Sequence, residues 1–435
     1  MLRYSTHLRV VAARESTDVV VKLKTSGPAR EALRSLAAAP AARRRDTSDR
    51  GPLRQILAGS LLRSLEPLFP GSTGRRAAAS ERLVLSVEQE KDSKLAGFNV
   101  MHFGSAQDAE AACKLLGQDP SVEYAHPIRE RFLFEPARAA RRRAAQAVDP
   151  LRNRQWGLRA IELVQAQNSS GFKEATDVVI AVIDTGVDSS HPDLAGVLVE
   201  ELNFTSGPRR DTKGHGTHVI GIIAAVRDNK VGISGVCQSR KIMSLKALGP
   251  YSGPGYYRAI RHATDNGAKV INLSLGGEQD PTEEMLIRRA LNRGVVVVAA
   301  MGNEFDEGNP TSYPAAIRGV VAVGATTETD GRAPFSNTGP HIDLAAPGVN
   351  ILSTVPTYPA ELAEITDYEA WPGTSMATPF VAATAALLLA KKPSASVAQI
   401  SRVLRDSADK APGQTGFSRE LGAGRLNVRR ALAAI

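Results

Sequence analysis

Cysteine is scarce in this chain of 435 residues: there are two, Cys113 and Cys237. They fall on opposite sides of the domain boundary argued below, so a disulfide scaffold is not expected and the fold must rest on packing. Long apolar runs are also lacking. The stretch around Leu387, Leu388 and Leu389 reads as too short to span a bilayer. The N-terminus, MLRYSTHLRVVAARESTD, is broken by Arg and His and holds no continuous apolar segment of the kind a secretory signal needs. These absences lead to the expectation of a soluble, cytoplasmic protein with no membrane partner. Basic patches interleaved with aromatics are missing too, although the net charge is +9. The excess sits in residues 1–148, with Arg43, Arg44 and Arg45 in one cluster and Arg141, Arg142 and Arg143 in another. We read these as solvated segments and protease-sensitive joints, so nucleic acid is not an expected partner. What is present, 43% hydrophobic and 23% charged residues, describes a globular chain long enough for more than one domain.

The texture changes near Asp149. Before it, Val19–Leu23, Arg82–Val87, Phe98–Phe103, Val122–Ala125 and Arg131–Phe134 read as short strands, and Ala32–Ala39, Ile56–Leu65 and Ala106–Leu116 as helical. This fits a small α+β unit, followed by a linker, EPARAARRRAAQAV. After it, Val178–Ile183, Val270–Leu273 and Val295–Ala300 are continuous apolar runs, which suit parallel strands buried on both faces. Helical segments at His218–Val226, Tyr257–Asn266 and Glu283–Asn292 alternate with them. That alternation predicts βαβ units and a doubly wound, mostly parallel α/β sheet flanked by helices, with the working crevice at the carboxyl ends of its strands. The expected division is 1–80, an extension of unclear role; 81–135, an α+β unit; 136–148, a linker; and 149–435, the main domain.

The stretch Trp371-Pro372-Gly373-Thr374-Ser375-Met376-Ala377-Thr378-Pro379 leads into the apolar run Phe380–Ala390. It reads as one hydroxyl, Ser375, set at the start of a buried helix, where orphan N–H groups and the dipole favour negative charge. Pro379 is expected in the first turn, where a missing N–H costs nothing. Alone, Ser375 could equally be a helix cap. Three upstream residues stand at loops that follow or flank apolar segments. Asp184 ends the first apolar run, in Ile183-Asp184-Thr185-Gly186, and could orient a histidine or merely make a turn. His215 lies between glycines in Gly214-His215-Gly216-Thr217-His218, where a metal-binding histidine pair is the alternative, though no Cys or acidic cluster adjoins. Asn303 follows the Val295–Ala300 run, and its amide could serve a developing oxyanion or an Asx-turn.

Taken together, in the order Asp, His, Asn, Ser, these residues resemble the subtilisin-like serine proteases. The resemblance covers about 149–432 and includes VIDTGVDSSHPDL, HGTHVIGIIAA, VINLSLGG, GNE, APG and GTSMATP. It implies a serine endopeptidase acting through an acyl-enzyme, with Ser375 as nucleophile, His215 as general base and acid, and Asp184 as its orienter. Asn303 and the Ser375 N–H would hold the oxyanion. It further implies that substrate lies as a strand along Ser274, Leu275 and Gly276, flanked by Tyr251, Ser252 and Gly253. Ala299, Ala300 and Gly302 would line the pocket before the scissile bond. Met301 stands where the family usually has a small residue, and Glu304, with Asp306 and Glu307 near it, could favour a basic residue there or be a solvated acidic loop.

The family also implies a structural Ca²⁺, whose ligands would be Asp149, Asp193, the Val226 carbonyl, Asp228 and Asn229. Gly235-Val236-Cys237-Gln238 departs from the family's Gly-Val-Ala-Pro, and Cys237 is read as a packed core thiol. Residues from about Arg82 to Phe134 resemble the family's pro-domains, so a zymogen is expected, inhibited by its own pro-domain and cleaved within Pro136–Val148. The expected partners are protein or peptide substrates, and the expected state is a monomer. Two other classes compete: an idle module that binds peptides, which need not keep all four residues, and a related serine carboxyl peptidase or esterase. An acidic residue in place of Asn303 would mark the carboxyl peptidase.

Overall fold

The three apolar runs after Asp149 are strands of one sheet. The computed structural model describes residues 16–25, 51–58, 61–69, 95–133, 149–249 and 253–435. The chain divides into two compact units, which meet in sequence at Glu130 and Arg131.

In the amino-terminal unit, β1 (Asp18–Leu23), α1 (Pro52–Ala58), β2 (Leu62–Pro67), β3 (Phe98–Phe103), α2 (Ala106–Leu116) and β4 (Val122–Pro127) follow in order. The strands form an antiparallel sheet in the order β2-β3-β1-β4. Val19, Val21, Leu65, Met101 and Phe103 alternate onto one face and pack with Ala109, Ala112 and Leu116 of α2. The Ser105 hydroxyl accepts from the Asp108 N–H at 3.1 Å and starts that helix. Two of the four strands come from within 1–80, so the α+β unit is not confined to 81–135. The helical patch expected at Ile56–Leu65 is also corrected: the helix stops at Ala58, and Leu62–Pro67 is a strand laid along β3. The expected helix Ala32–Ala39, the expected strand Arg82–Val87 and the linker 136–148 lie outside the described residues.

In the larger unit come β5 (Phe132–Leu133), α3 (Trp156–Ala160), α4 (Leu163–Gln167), β6 (Ile180–Asp184), β7 (Leu198–Asn203), α5 (His215–Ala224), β8 (Ile242–Lys246), α6 (Gly255–Asp265), β9 (Val270–Leu273) and β10 (Leu275–Gly276). Then come α7 (Pro281–Asn292), β11 (Val296–Ala300), β12 (Val321–Thr326), β13 (Leu344–Pro347), β14 (Ile351–Thr354), β15 (Tyr368–Trp371), α8 (Thr374–Lys391), α9 (Val397–Asp406) and α10 (Val428–Ala434). Seven strands make one sheet in the order β13-β12-β11-β9-β6-β8-β7, and every pair in it is parallel. Strand order reverses beside β6, which puts a crevice at the carboxyl ends of β6 and β9. β5 pairs antiparallel with β10. Residues 132 and 133 therefore belong to the larger unit, not to the sheet that Arg131–Phe134 was expected to close.

Helix α8 runs for 18 residues, and every one from Thr374 to Ala390 is buried. By length and composition it could cross a membrane, which corrects the reading of this stretch as too short, yet 94% of it is packed inside the protein. It serves as a core helix, lying against β9, β11, β12 and α5. Cys237 is fully buried in the same core, and burial pushes its thiol up to about 12. Cys113 sits in the other unit, and both cysteines are free.

Candidate active site

Each functional side chain stands where a strand or helix begins or ends. Asp184 is the last residue of β6 and 1% exposed. Its Oδ1 accepts from the Thr185 N–H at 2.7 Å and is 2.8 Å from His215 Nδ1. His215 opens α5 and is fully buried, and its Nε2 has no hydrogen-bond partner among the described residues. The approach of α5 to β6 depends on glycine. A Cβ at Gly216 would lie 2.1 Å from the Gly186 carbonyl oxygen, and Gly214 has φ +90°, a left-handed conformation.

Asp211 fixes the start of that helix. Its Oδ1 accepts from Gly214 N–H at 2.8 Å, and its Oδ2 from the Thr217 N–H at 2.9 Å and the Thr217 hydroxyl at 2.7 Å. The Thr185 hydroxyl accepts from Gly216 N–H at 2.9 Å. Sequence reasoning missed both residues. An aspartate shortly before a helix start is a readable capping signal; the Thr185 contact has no local signature. His218, one turn on, is stacked on Trp371 at 4.6 Å between ring centres, and its Nε2 lies 3.1 Å from the Glu369 carbonyl oxygen. Burial, with His215 beside it, pushes its pKa down to about 3, so the ring is neutral. The two histidines do not form a metal pair, and among the described residues no group of three His, Cys, Asp or Glu side chains is placed to hold a metal ion.

Ser375 is the second residue of α8. Its hydroxyl donates to the Ser274 carbonyl at 3.1 Å, and its own carbonyl accepts from the Ser274 hydroxyl at 2.9 Å. The second bond explains Pro379. That residue falls beyond the first turn, contrary to expectation, and the acceptor left without its helical partner is the Ser375 carbonyl, which Ser274 satisfies instead. Asn303 is held by its oxygen, which accepts from the Thr374 N–H and hydroxyl, both at 2.9 Å. This leaves the amide nitrogen to face Gly373. A Cβ at Gly373 would lie 3.4 Å from Asn303 Nδ2 and 3.6 Å from the Ser375 nitrogen, so the missing side chain leaves open a space that both donors border.

The comparisons with known proteins agree with this geometry. Residues 175–424 match the model of the peptidase S8, or subtilase, family. The chain belongs to the subtilase family. It is 36% identical to subtilisin E of Bacillus subtilis (strain 168) over 375 residues, covering 83% of this chain and 88% of that protein. It is 39% identical to thermitase of Thermoactinomyces vulgaris over 288 residues, covering 64% of this chain and 96% of that protein. Among solved structures, fervidolysin from Fervidobacterium pennivorans, described as a keratinolytic enzyme related to subtilisin, shares the fold with a TM-score of 0.71 at 24% identity. That likeness covers all of this chain, which spans 62% of the fervidolysin chain. The protein is thus a subtilisin-like serine protease, an endopeptidase that hydrolyses peptide bonds.

In this subtilase, Ser274, Leu275 and Gly276 form the strand edge that continues from β9, and Leu275 and Gly276 pair with Leu133 and Phe132. Of the three residues expected across from them, Gly253 has φ +43°, while Tyr251 and Ser252 lie outside the described residues. Ala299 and Ala300 are buried at the end of β11, and Met301 is buried beyond them. Gly302, at φ +106°, has no room for a Cβ, which would meet Asn337 Nδ2 at 2.3 Å. Glu304 turns inward. Its Oε2 accepts from the Asn303 N–H and from Asn337 Nδ2, each at 2.9 Å, and burial raises its pKa. The carboxylate steadies the loop that carries Asn303; Asp306 and Glu307 are exposed beside it.

The residues expected to hold calcium do not converge as a ligand set. Both Asp193 oxygens accept N–H groups, from Asn229 Nδ2 at 2.7 Å and Ile233 N at 2.8 Å. Asp228 is 3.6 Å from Arg152 Nη1, and the Val226 N–H donates to the Asp193 carbonyl. Asp149 accepts from Asp228 N–H at 3.0 Å on Oδ2, while its buried Oδ1 has no hydrogen-bond partner among the described residues. One orphan oxygen favours a cation, but both Asp193 oxygens and the Asn229 side-chain oxygen already accept N–H groups, so the five do not fit the ion as arranged.

Proposed function

We propose that Ser375 is the nucleophile of this endopeptidase, His215 its general base and acid, and Asp184 the group that orients His215. The observation that carries this is the buried Asp184–His215 contact of 2.8 Å, which leaves the other imidazole nitrogen free to take a proton. Asp184 holds a proton on Nδ1, so Nε2 is the basic nitrogen, and it stabilises the imidazolium that forms during attack. To react, the Ser375 hydroxyl gives up the Ser274 carbonyl and donates to that nitrogen. As the Ser375 oxygen attacks, charge develops on the substrate carbonyl oxygen. The space bordered by Asn303 Nδ2 and the Ser375 N–H receives it, and one such donor is typically worth about 10²–10³ in rate. His215 then protonates the leaving amine, and water releases the acyl-enzyme by the same route.

Substrate lies antiparallel to Leu275 and Gly276, the edge that Phe132 and Leu133 occupy in the intact chain. This occupancy supports a zymogen in which residues before 149 restrain the enzyme until the chain is cut ahead of Asp149. The test compares intact mass and N-terminal sequence of the wild-type chain with Ser375→Ala. Cleavage before Asp149 in the wild type, and a full-length variant, is the expected result. A variant that matures alone at the normal rate would overturn self-processing.

A further inference from the structure

Beside the substrate edge lies a charged cluster that the catalytic scheme does not use. Glu283, in the first turn of α7, is fully buried. Its carboxylate takes two groups of one guanidinium: Arg131 Nε donates to Oε1 at 2.8 Å, and Nη2 is 2.8 Å from Oε2. The Tyr256 hydroxyl donates to the same Oε1 at 2.6 Å, and Arg131 Nη1 donates to the Glu278 carbonyl at 3.0 Å. The guanidinium carbon lies 5.6 Å from the centre of the Tyr256 ring. Asp280 braces the cluster by accepting from the Glu283 N–H at 2.8 Å and the Tyr257 hydroxyl at 2.6 Å. The planar fork of an arginine matches this arrangement, whereas a lysine brings a point charge and an aliphatic chain brings nothing.

The register shows which peptide residue the cluster reads. Phe132 stands opposite Gly276 and Leu133 opposite Leu275. In a peptide that keeps this register, the next residue faces Ser274, whose carbonyl accepts the Ser375 hydroxyl. The bond offered to Ser375 follows that residue, so the position of Arg131 is the fourth on the amino side of the bond. We infer that Glu283, Tyr256 and the Glu278 carbonyl form a guanidinium pocket that selects substrates with arginine at this fourth position.

The inference rests on the proposed reading of residues 274–276 as the substrate edge. Its discriminating power comes from burial: a peptide without a cation there leaves a desolvated carboxylate unpaired, and that cost falls on the wrong substrate. The test uses the wild-type protein, expressed as the full chain and brought to its plateau of activity on denatured casein. Its substrates are acetyl-Arg-Phe-Leu-Phe-4-nitroanilide, the same peptide with Leu or Lys first, and acetyl-Phe-Leu-Phe-4-nitroanilide. We expect kcat/KM for Arg to exceed that for Leu by about tenfold or more, with Lys between them. In Glu283→Gln the Arg-to-Leu ratio falls to within about twofold. Equal rates for Arg and Leu in the wild type overturn the pocket and leave the edge intact. An enzyme that digests casein but cleaves none of the peptides overturns the edge reading, and the pocket with it. The wild-type series decides even if the variant fails to fold.

Discussion

His215 and His218 lie three residues apart on one helix, both fully buried, and have opposite fates. His215 meets a carboxylate on one nitrogen and has no hydrogen-bond partner among the described residues on the other. His218 is sandwiched flat on Trp371, close to a backbone carbonyl, and kept neutral by burial. Residue type and depth are the same, so neither explains reactivity. What separates the pair is the supply of partners: a fixed anion on one side and an open direction on the other make a base, while a ring stack makes a core residue. The helix start, cross-braced by Asp211, Thr185 and the bare backbone of Gly216, keeps the first histidine from relaxing into the second one's state.

The comparison breaks most visibly if both rings prove equally important to turnover. His215→Ala should lower kcat by about 10⁴ or more with the fold retained. His218→Phe, which keeps a ring on Trp371, should lower it by less than about tenfold. Similar losses in steady-state kinetics would show that His218 takes part in the chemistry. A smaller effect tests the brace. Asp211→Asn turns an amide N–H₂ toward donors, so it should destabilise by about 1–2 kcal/mol in urea unfolding and lower kcat several-fold. An unchanged kcat would mean that Asp184 alone suffices to aim the ring.

The last comparison, read in stability and not in turnover, sharpens the difference in protonation. The folded-state pKa of His218 is depressed from 6.5 to about 3 by burial first and by His215 second. Its contribution to stability is therefore complete above the unfolded pKa, and it is lost as the pH falls from about 6.5 toward 3, because only the unfolded chain binds the proton there. This single group should add a slope of up to about 1.4 kcal/mol per pH unit in that window. His218→Phe should flatten the measured slope by that amount; an unaltered slope would place the titration elsewhere.

Much of the sheet was legible in the sequence because parallel strands covered on both faces must be apolar throughout, as in Val270–Leu273. Helix α2 was legible because its small apolar face, at helical spacing, is a local signal. Leu62–Pro67 was not, since apolar residues at helical spacing there are overridden by pairing with β3. The four central site residues could be read together because a familiar set of motifs carries them. The acidic residues around them could not be sorted the same way. Glu304 is close to the site in sequence and looked like a specificity group, yet its carboxylate is committed to Asn303 and Asn337. Glu283 drew no notice, because its partner Arg131 lies 152 residues away in the chain. Nearness to a site is written in the sequence; an acid's freedom to bind a cation is a property of the tertiary structure.

The burial of α8 also bears on timing. The helix bearing Ser375 packs against β9, β11, β12 and α5, all made earlier and far away in sequence. Such long-range contacts delay folding, because loop-closure entropy must be overcome before they form. While the ribosome makes this protein, Asp184 and His215 are already outside, yet no hydrolytic centre exists until the segment through Lys391 has been synthesised and has docked. Between its synthesis and its docking, the segment whose 17 residues Thr374–Ala390 are buried in the finished fold stays uncovered and open to aggregation. The placement of the proposed nucleophile on a late central element of the core thus builds a delay between synthesis and activity, during which the chain is most in need of help to fold and least able to cut its neighbours.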